Sequence, residues 1–405
     1  MNRRLFLAAN AQAVSAAGSL LSTPNRMNAI DKTLSGGIAR RKIPAVVGMA
    51  ASGGKVLYTG AFGSRDSSGV PARADSIFAI ASMTKAITTV AALQLVEQGV
   101  VSLDEPVSKH LPALANLDVV EGFDAGGKPS LRPLKTPITL RHLVTHTSGF
   151  CYDTWDEGMF RYTSLKPAPD STKPGPLMFE PGTRWQYGQG VDWTGRLVEA
   201  ISGATLEDYF QQKIFRPLEM VDTSFILPAA KFDRLTTRYQ RQDDGHLEQM
   251  ERRMPATPSS FNGGGGLYGT AEDYVRFMQM ILNRGKGPKN ERILKAKTVE
   301  SMGVNQIGTL TAGKMRSFKP DTSSDVDIQP GVTEKWGLGF LINTTPYTGG
   351  RSAGSLAWAG LYNTFFWIDP KRNRCGVILM QFLPFVDKEA IGLFDEFERA
   401  VYTNL

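Results

Sequence analysis

Ile80-Ala81-Ser82-Met83-Thr84-Lys85 opens the stretch of this chain on which the reading of its fold turns. Residues 85–98 read as the strongest helix in the sequence, and Gly99 stands where a C-cap glycine is expected. Ser82 and Lys85 are three residues apart at the start of that helix, a spacing that puts both side chains on one face. A serine hydroxyl is a weak nucleophile until a neighbouring base takes its proton. A lysine held in a pocket, with its ammonium form disfavoured by desolvation or a like charge, can be that base. The helix N-terminus adds a field that favours a developing oxyanion. Taken alone, S-x-x-K is a common chance pattern, and a Ser N-cap followed by a surface Lys is the bland alternative.

Upstream, residues 27–41 carry Ile30, Leu34 and Ile38 on one helical face, and Pro44 ends the pattern. Residues 45–51 and 55–62 are β-type runs joined by Ser52-Gly53-Gly54, which reads as a hairpin. Downstream, further helical segments cover 138–145, 190–202, 206–213 and 271–283. Long Pro- and Gly-rich connections such as 166–184 separate them, and loops of that length are usually functional rims or lids. The Gly263-Gly264-Gly265-Gly266 run suggests a packed corner. The end returns to β structure at 336–343, 355–358, 362–368 and 375–382, followed by an amphipathic helix over 390–402. The expected fold is therefore α+β: an antiparallel sheet built from both chain ends, with flanking helices and an inserted, mainly helical subdomain. The α/β part spans about 25–75 and 262–405, and the helical part about 76–261.

The composition is that of an ordinary soluble globular protein, with 41% hydrophobic and 21% charged residues. No run of 18 apolar residues exists to span a membrane. The net charge of +7 falls to +5 without Arg3 and Arg4 and is spread without a dense basic block, which argues against nucleic-acid binding. Cys151 and Cys375 form no CxxC unit and no His/Cys cluster has metal-ligand spacing, so half-buried free thiols are expected, with neither metal nor cofactor; the alternative is a single disulfide between them in an oxidising compartment. Arg3-Arg4-Leu5-Phe6-Leu7 before an Ala-rich run resembles a twin-arginine export signal over residues 1–24. The expected location is periplasmic or secreted; the alternative is a frayed N-terminal helix on a cytoplasmic enzyme.

A second nucleophile candidate is Ser352, in the G-x-S-x-G match Gly350-Arg351-Ser352-Ala353-Gly354. That mechanism needs a histidine downstream of the serine, and the last one in the chain is His246. The strand-turn-helix context is also missing, so Ser352 is rejected.

The segments in order resemble the serine β-lactamase/penicillin-binding-protein superfamily, specifically its class C and family VIII carboxylesterase branch, with EstB-type esterases and lovastatin-type acyltransferases. Besides Ile80–Lys85 they include Gly99-Val100-Val101-Ser102-Leu103-Asp104-Glu105-Pro106-Val107, residues 138–149, Tyr187-Gly188-Gln189, residues 264–270 and Trp336-Gly337-Leu338-Gly339-Phe340. The resemblance implies a β-lactamase/transpeptidase-like fold, with Ser82 as nucleophile and Lys85 and Tyr187 as a general-base pair. A phenol acts as a base only when a cation such as Lys85 stabilises its anion. The peptide N–H groups of Ser82 and Leu361 are the implied oxyanion hole. His142 and His146, tempting as bases, fall in what the resemblance makes a structural corner.

Two departures matter. The family's Tyr-x-Asn is Tyr187-Gly188-Gln189 here, and its Lys-Thr-Gly strand motif is matched by Trp358-Ala359-Gly360. Gln189, Trp358, Ala359 and Gly360 are thus the expected substrate-binding residues. An indole cannot pair with a lactam carboxylate, which points toward neutral, apolar acyl or alcohol groups. The function expected is a serine carboxylesterase acting on a small-molecule ester through an acyl-serine intermediate. The alternatives are an acyltransferase using the same intermediate and a weak class C-type β-lactamase.

Overall fold

The computed structural model describes residues 23–165 and 173–405. The expected export signal lies almost wholly outside the described residues, as does the first part of the 166–184 connection, residues 166–172. Helix α1 (Thr23–Arg41) leads into strands β1 (Ala45–Ala51) and β2 (Val56–Gly63), the expected hairpin. Helix α2 (Thr84–Glu97) follows, with Gly99 left-handed just beyond its end at φ +74°. Eleven of its fourteen residues are buried, so it is a central helix rather than an amphipathic surface one.

The middle of the chain contributes α3 (Gly190–Ser202), matching the sequence reading, and α4 (Ala271–Leu282). Residues 206–213 run as a short helix that widens into a π-type turn over Gln211–Phe215. Not foreseen was a hairpin of Asp118–Phe123 with Pro129–Pro133. The last third supplies β3 (Glu334–Trp336), β4 (Leu341–Asn343), β5 (Leu356–Gly360), β6 (Thr364–Asp369) and β7 (Arg374–Leu379), then helix α5 (Lys388–Asn404). The single strand expected over 336–343 is two, because Gly337-Leu338-Gly339 breaks the ladder and packs against Met302 and Thr89.

These strands form one antiparallel sheet of seven in the order β2-β1-β7-β6-β5-β4-β3. The first hairpin joins the sheet by pairing β1 with β7, so both chain ends build it. Alternation along β6 defines its two faces. Phe365 and Trp367 reach Phe394 on α5, whereas Phe366 meets Tyr274 on α4. Burying aromatic rings on both sides contributes about 1.5–3 kcal/mol per side chain. The outcome is a sheet fixed from both faces, with the end of β5 aimed at the start of α2.

Candidate active site

Ser82 sits on a 3₁₀ turn, Ala81–Met83, that flows into α2. Ala81 is held at φ +44°, a conformation that costs a non-glycine residue about 1–3 kcal/mol and needs surrounding support. That support is visible. Ile80 N–H donates to Leu267 O (3.0 Å), and the Tyr274 hydroxyl donates to Met83 O (3.0 Å). The end of β5 presses on the same turn, so closely that a Cβ at Gly360 would collide with Ile80 O and the Thr364 hydroxyl. Gly360 therefore lets the strand touch the serine turn.

Lys85, one helical turn on, is 1% exposed. Its ammonium has three protons and three acceptors: Gly264 O at 2.6 Å, the Tyr152 hydroxyl at 3.1 Å and Ser82 Oγ at 3.2 Å. With Lys85 donating to Ser82, the proton of the serine is free to point elsewhere. The Gly263–Gly266 run is the packed corner expected, since a Cβ at Gly264 would enter the Asp192 carboxylate.

Two tyrosines flank the lysine. Lys85 Nζ lies 4.8 Å from the Tyr187 ring centre and 5.1 Å from that of Tyr152. Gly188 is jammed against Phe150 O and Cys151, which draws the two tyrosine segments together. Tyr187 is buried, and its oxygen accepts from Trp358 Nε1 at 3.2 Å, leaving its own proton uncommitted. Tyr152 differs. It accepts from Lys85 and donates to Asp192 Oδ2 at 3.0 Å. Burial, then the Asp192 carboxylate, pushes its phenol well above the ordinary range, so it keeps its proton. Burial also pushes the Asp192 carboxyl up, against the pull of Lys85.

Above this group opens a cavity of about 420 Å³, within the usual size of small-molecule sites. Ser82 and Leu361 both line it, as do Tyr152, Trp155 and Arg238. Gln189, Trp358, Ala359 and Gly360 do not. Gln189 is exposed at the N-cap of α3, and Asp192, one turn further, is the residue that faces inward. Trp358 is 4% exposed beneath the cavity, packed on Tyr187 and Trp336 with ring centres 4.8 Å away in each case. The indole thus supports the tyrosine from behind instead of meeting substrate.

The histidines have structural partners. His142 closes a capping box with Thr139 at the short helix Leu140–Val144. His146 accepts from Gly188 N–H (3.4 Å), and burial, with Lys85 nearby, holds it well below its ordinary range and hence neutral. Ser352 lies before β5, its N–H on Asp369 Oδ2 and no histidine beside it. Both cysteines are fully buried, unpaired thiols. Among the described residues no cluster of three or more His, Cys, Asp or Glu could hold a metal, and no helix is long and apolar enough to cross a membrane.

Tyr152, Asp192 and Arg238 were not singled out from the sequence. The signal that could have pointed to Asp192 is its place one turn into the helix that follows Tyr187-Gly188-Gln189.

A family model described as Beta-lactamase matches residues 30–394. Lovastatin esterase of Penicillium rubens is 32% identical, over 92% of this chain and 98% of that protein. Monacolin J acid methylbutanoyltransferase of Aspergillus terreus is 32% identical, over 91% and 93%. Among solved structures, a mutant of simvastatin synthase (LovD) from Aspergillus terreus superimposes with a TM-score of 0.80 at 30% identity, covering 93% of this chain and 98% of its own.

Proposed function

This chain belongs to the beta-lactamase family, and on that premise we propose that it is a serine hydrolase cleaving carboxylic esters through an acyl-enzyme on Ser82. The observation that carries the proposal is the bond from Lys85 Nζ to Ser82 Oγ at the floor of the cavity, with Tyr187 under the same ammonium. With the Lys85–Tyr187 pair one proton short, as ammonium beside phenolate or amine beside phenol, Ser82 Oγ adds to the ester carbonyl carbon while its proton passes to that pair. The carbonyl oxygen takes up negative charge between the peptide N–H groups of Ser82 and Leu361, each donor contributing about 3 kcal/mol. As the C–O bond breaks, the pair returns the proton to the departing alcohol. Water then adds to the acyl-serine, gives a proton to the pair, and the proton goes back to Ser82 as the acid leaves.

A second reading is favoured by the relatives, which include transferases as well as an esterase. The same acyl-serine resolved by an alcohol gives a new ester. Nothing in the proton path changes, because an alcohol O–H presents the same proton as water. We also propose export through residues 1–24, tested by fractionating cells that express the full chain.

The experiment uses a short-chain nitrophenyl ester with purified protein. A burst of nitrophenol matching the enzyme concentration is expected, absent in Ser82→Ala and retained in Ser352→Ala. Activity surviving in Ser82→Ala would remove the proposal. Adding an acceptor alcohol separates the two readings, since transfer diverts the acyl group into a new ester while nitrophenol release continues.

A further inference from the structure

Arg238 lines the catalytic cavity and also a smaller one, about 170 Å³, that shares Ala79, Arg238 and Tyr268 with it. The smaller space is below the usual range for an independent ligand site. Its shared wall makes it an annexe that takes one end of whatever occupies the larger cavity. The annexe is cationic: Arg238, Arg252 and Arg253 line it, and the one carboxylate there, Glu251, is paired with Arg253 at 3.5 Å. Arg238 has no carboxylate partner among the described residues. One of its five donors reaches the Tyr362 hydroxyl at 3.0 Å, and its guanidinium lies 5.5 Å from that ring centre. A guanidinium at a cavity wall with most of its fork unspent is a receptor for a planar or tetrahedral oxyanion.

We propose that the ester substrate carries a compact anion, a carboxylate or phosphate, that Arg238 binds at the opening of the annexe. This rests on the acyl-serine reading above. It replaces the neutral, apolar preference expected from Trp358, whose indole lies beneath the cavity: the charge of the site is set instead by Arg238, next to the strand Tyr239–Arg241.

The test compares matched esters that differ only in charge. On the acyl side these are the 4-nitrophenyl monoester of adipic acid and its terminal carboxamide. On the alcohol side they are 4-acetoxybenzoate and 4-acetoxybenzamide. For at least one pair the protein should favour the anion by about 10-fold or more in kcat/KM, as a charged hydrogen bond implies. Arg238→Gln should bring that ratio close to one, and Arg238→Lys should keep part of it. Adipate and inorganic phosphate as competing ligands distinguish the two anions. A ratio near one for both pairs in the unaltered protein, or a ratio that survives in Arg238→Gln, overturns the inference. If no ester is turned over at all, the acyl-serine reading has failed. Calorimetry with adipate and phosphate then judges the anion site alone: binding weakened about 10-fold by Arg238→Gln supports it, and equal or absent binding removes it.

Discussion

Trp358 donates its indole N–H to the oxygen of Tyr187 across 3.2 Å, beneath the floor of the cavity. A hydrogen bond at that oxygen fixes the phenol ring and favours negative charge as the proton leaves. Trp358→Phe keeps the packing on Trp336 and removes the donor. It should lower kcat for a nitrophenyl ester by about 3- to 10-fold, the range of one net hydrogen bond, with a smaller change in KM. A KM rise with unchanged kcat would show instead that the indole meets substrate.

The Tyr152–Asp192 bond predicts a positioning role. Asp192 is half-buried and accepts from Tyr152, which in turn accepts from Lys85. Asp192→Asn preserves shape but removes a negative charge beside the ammonium, so the protonated form of the Lys85–Tyr187 pair loses support. Acylation should slow, and its pH dependence should move toward lower pH, as expected for loss of a nearby opposite charge. A pH–rate profile that merely drops, with no shift along the pH axis, would reduce Asp192 to packing.

The backbone plan was legible because it rests on local signals. Gly99 caps α2, the Ser52-Gly53-Gly54 turn makes the first hairpin, and α3 begins and ends where its pattern does. Ser82 and Lys85 were legible because three-residue spacing fixes their relation. Trp358 was placed in the wrong layer for a physical reason. A five-residue strand between two partners has two buried faces, and only its register with Phe366 decides which one the indole takes. Tyr152 meets Lys85 across 67 residues of chain, Asp192 meets Tyr152 across 40, and Arg238 enters at a cavity wall; no spacing rule reaches that far.

Glu334 on β3 makes stability depend on pH. It is 4% exposed, accepts from the Tyr347 hydroxyl at 3.3 Å, and burial, against the pull of Arg351, lifts its carboxyl from 4.5 to about 7. The folded state therefore holds the proton more tightly than the unfolded chain. That stabilisation is complete below about pH 4.5 and is lost as pH rises through about 7, a swing of about 3 kcal/mol. Glu334→Gln, neutral throughout, should lose this part of the dependence. Urea midpoints at about pH 4.5 and pH 8 check it; an equal fall in both proteins would assign the dependence to other groups.

The proton path makes the most demanding prediction. Lys85 spends its three donors on Gly264, Tyr152 and Ser82, and its charge sits under the Tyr187 ring. Without the cation, Tyr187 has no support for the phenolate; without the phenol, Lys85 has no partner to carry the serine proton onward. The two should act as one unit. Lys85→Ala and Tyr187→Phe should each lower kcat by about three orders of magnitude, and the double variant should be little worse than either single one. His142→Ala and His146→Ala should instead lower stability, since one closes a helix cap and the other holds Gly188, while leaving acylation by folded enzyme within about 10-fold. The measurement is pre-steady-state acylation on variants shown to be folded by near-ultraviolet circular dichroism. Multiplicative losses for Lys85 and Tyr187 would mean that they act separately, and a collapse of acylation in a folded His146→Ala would move the base to the imidazole.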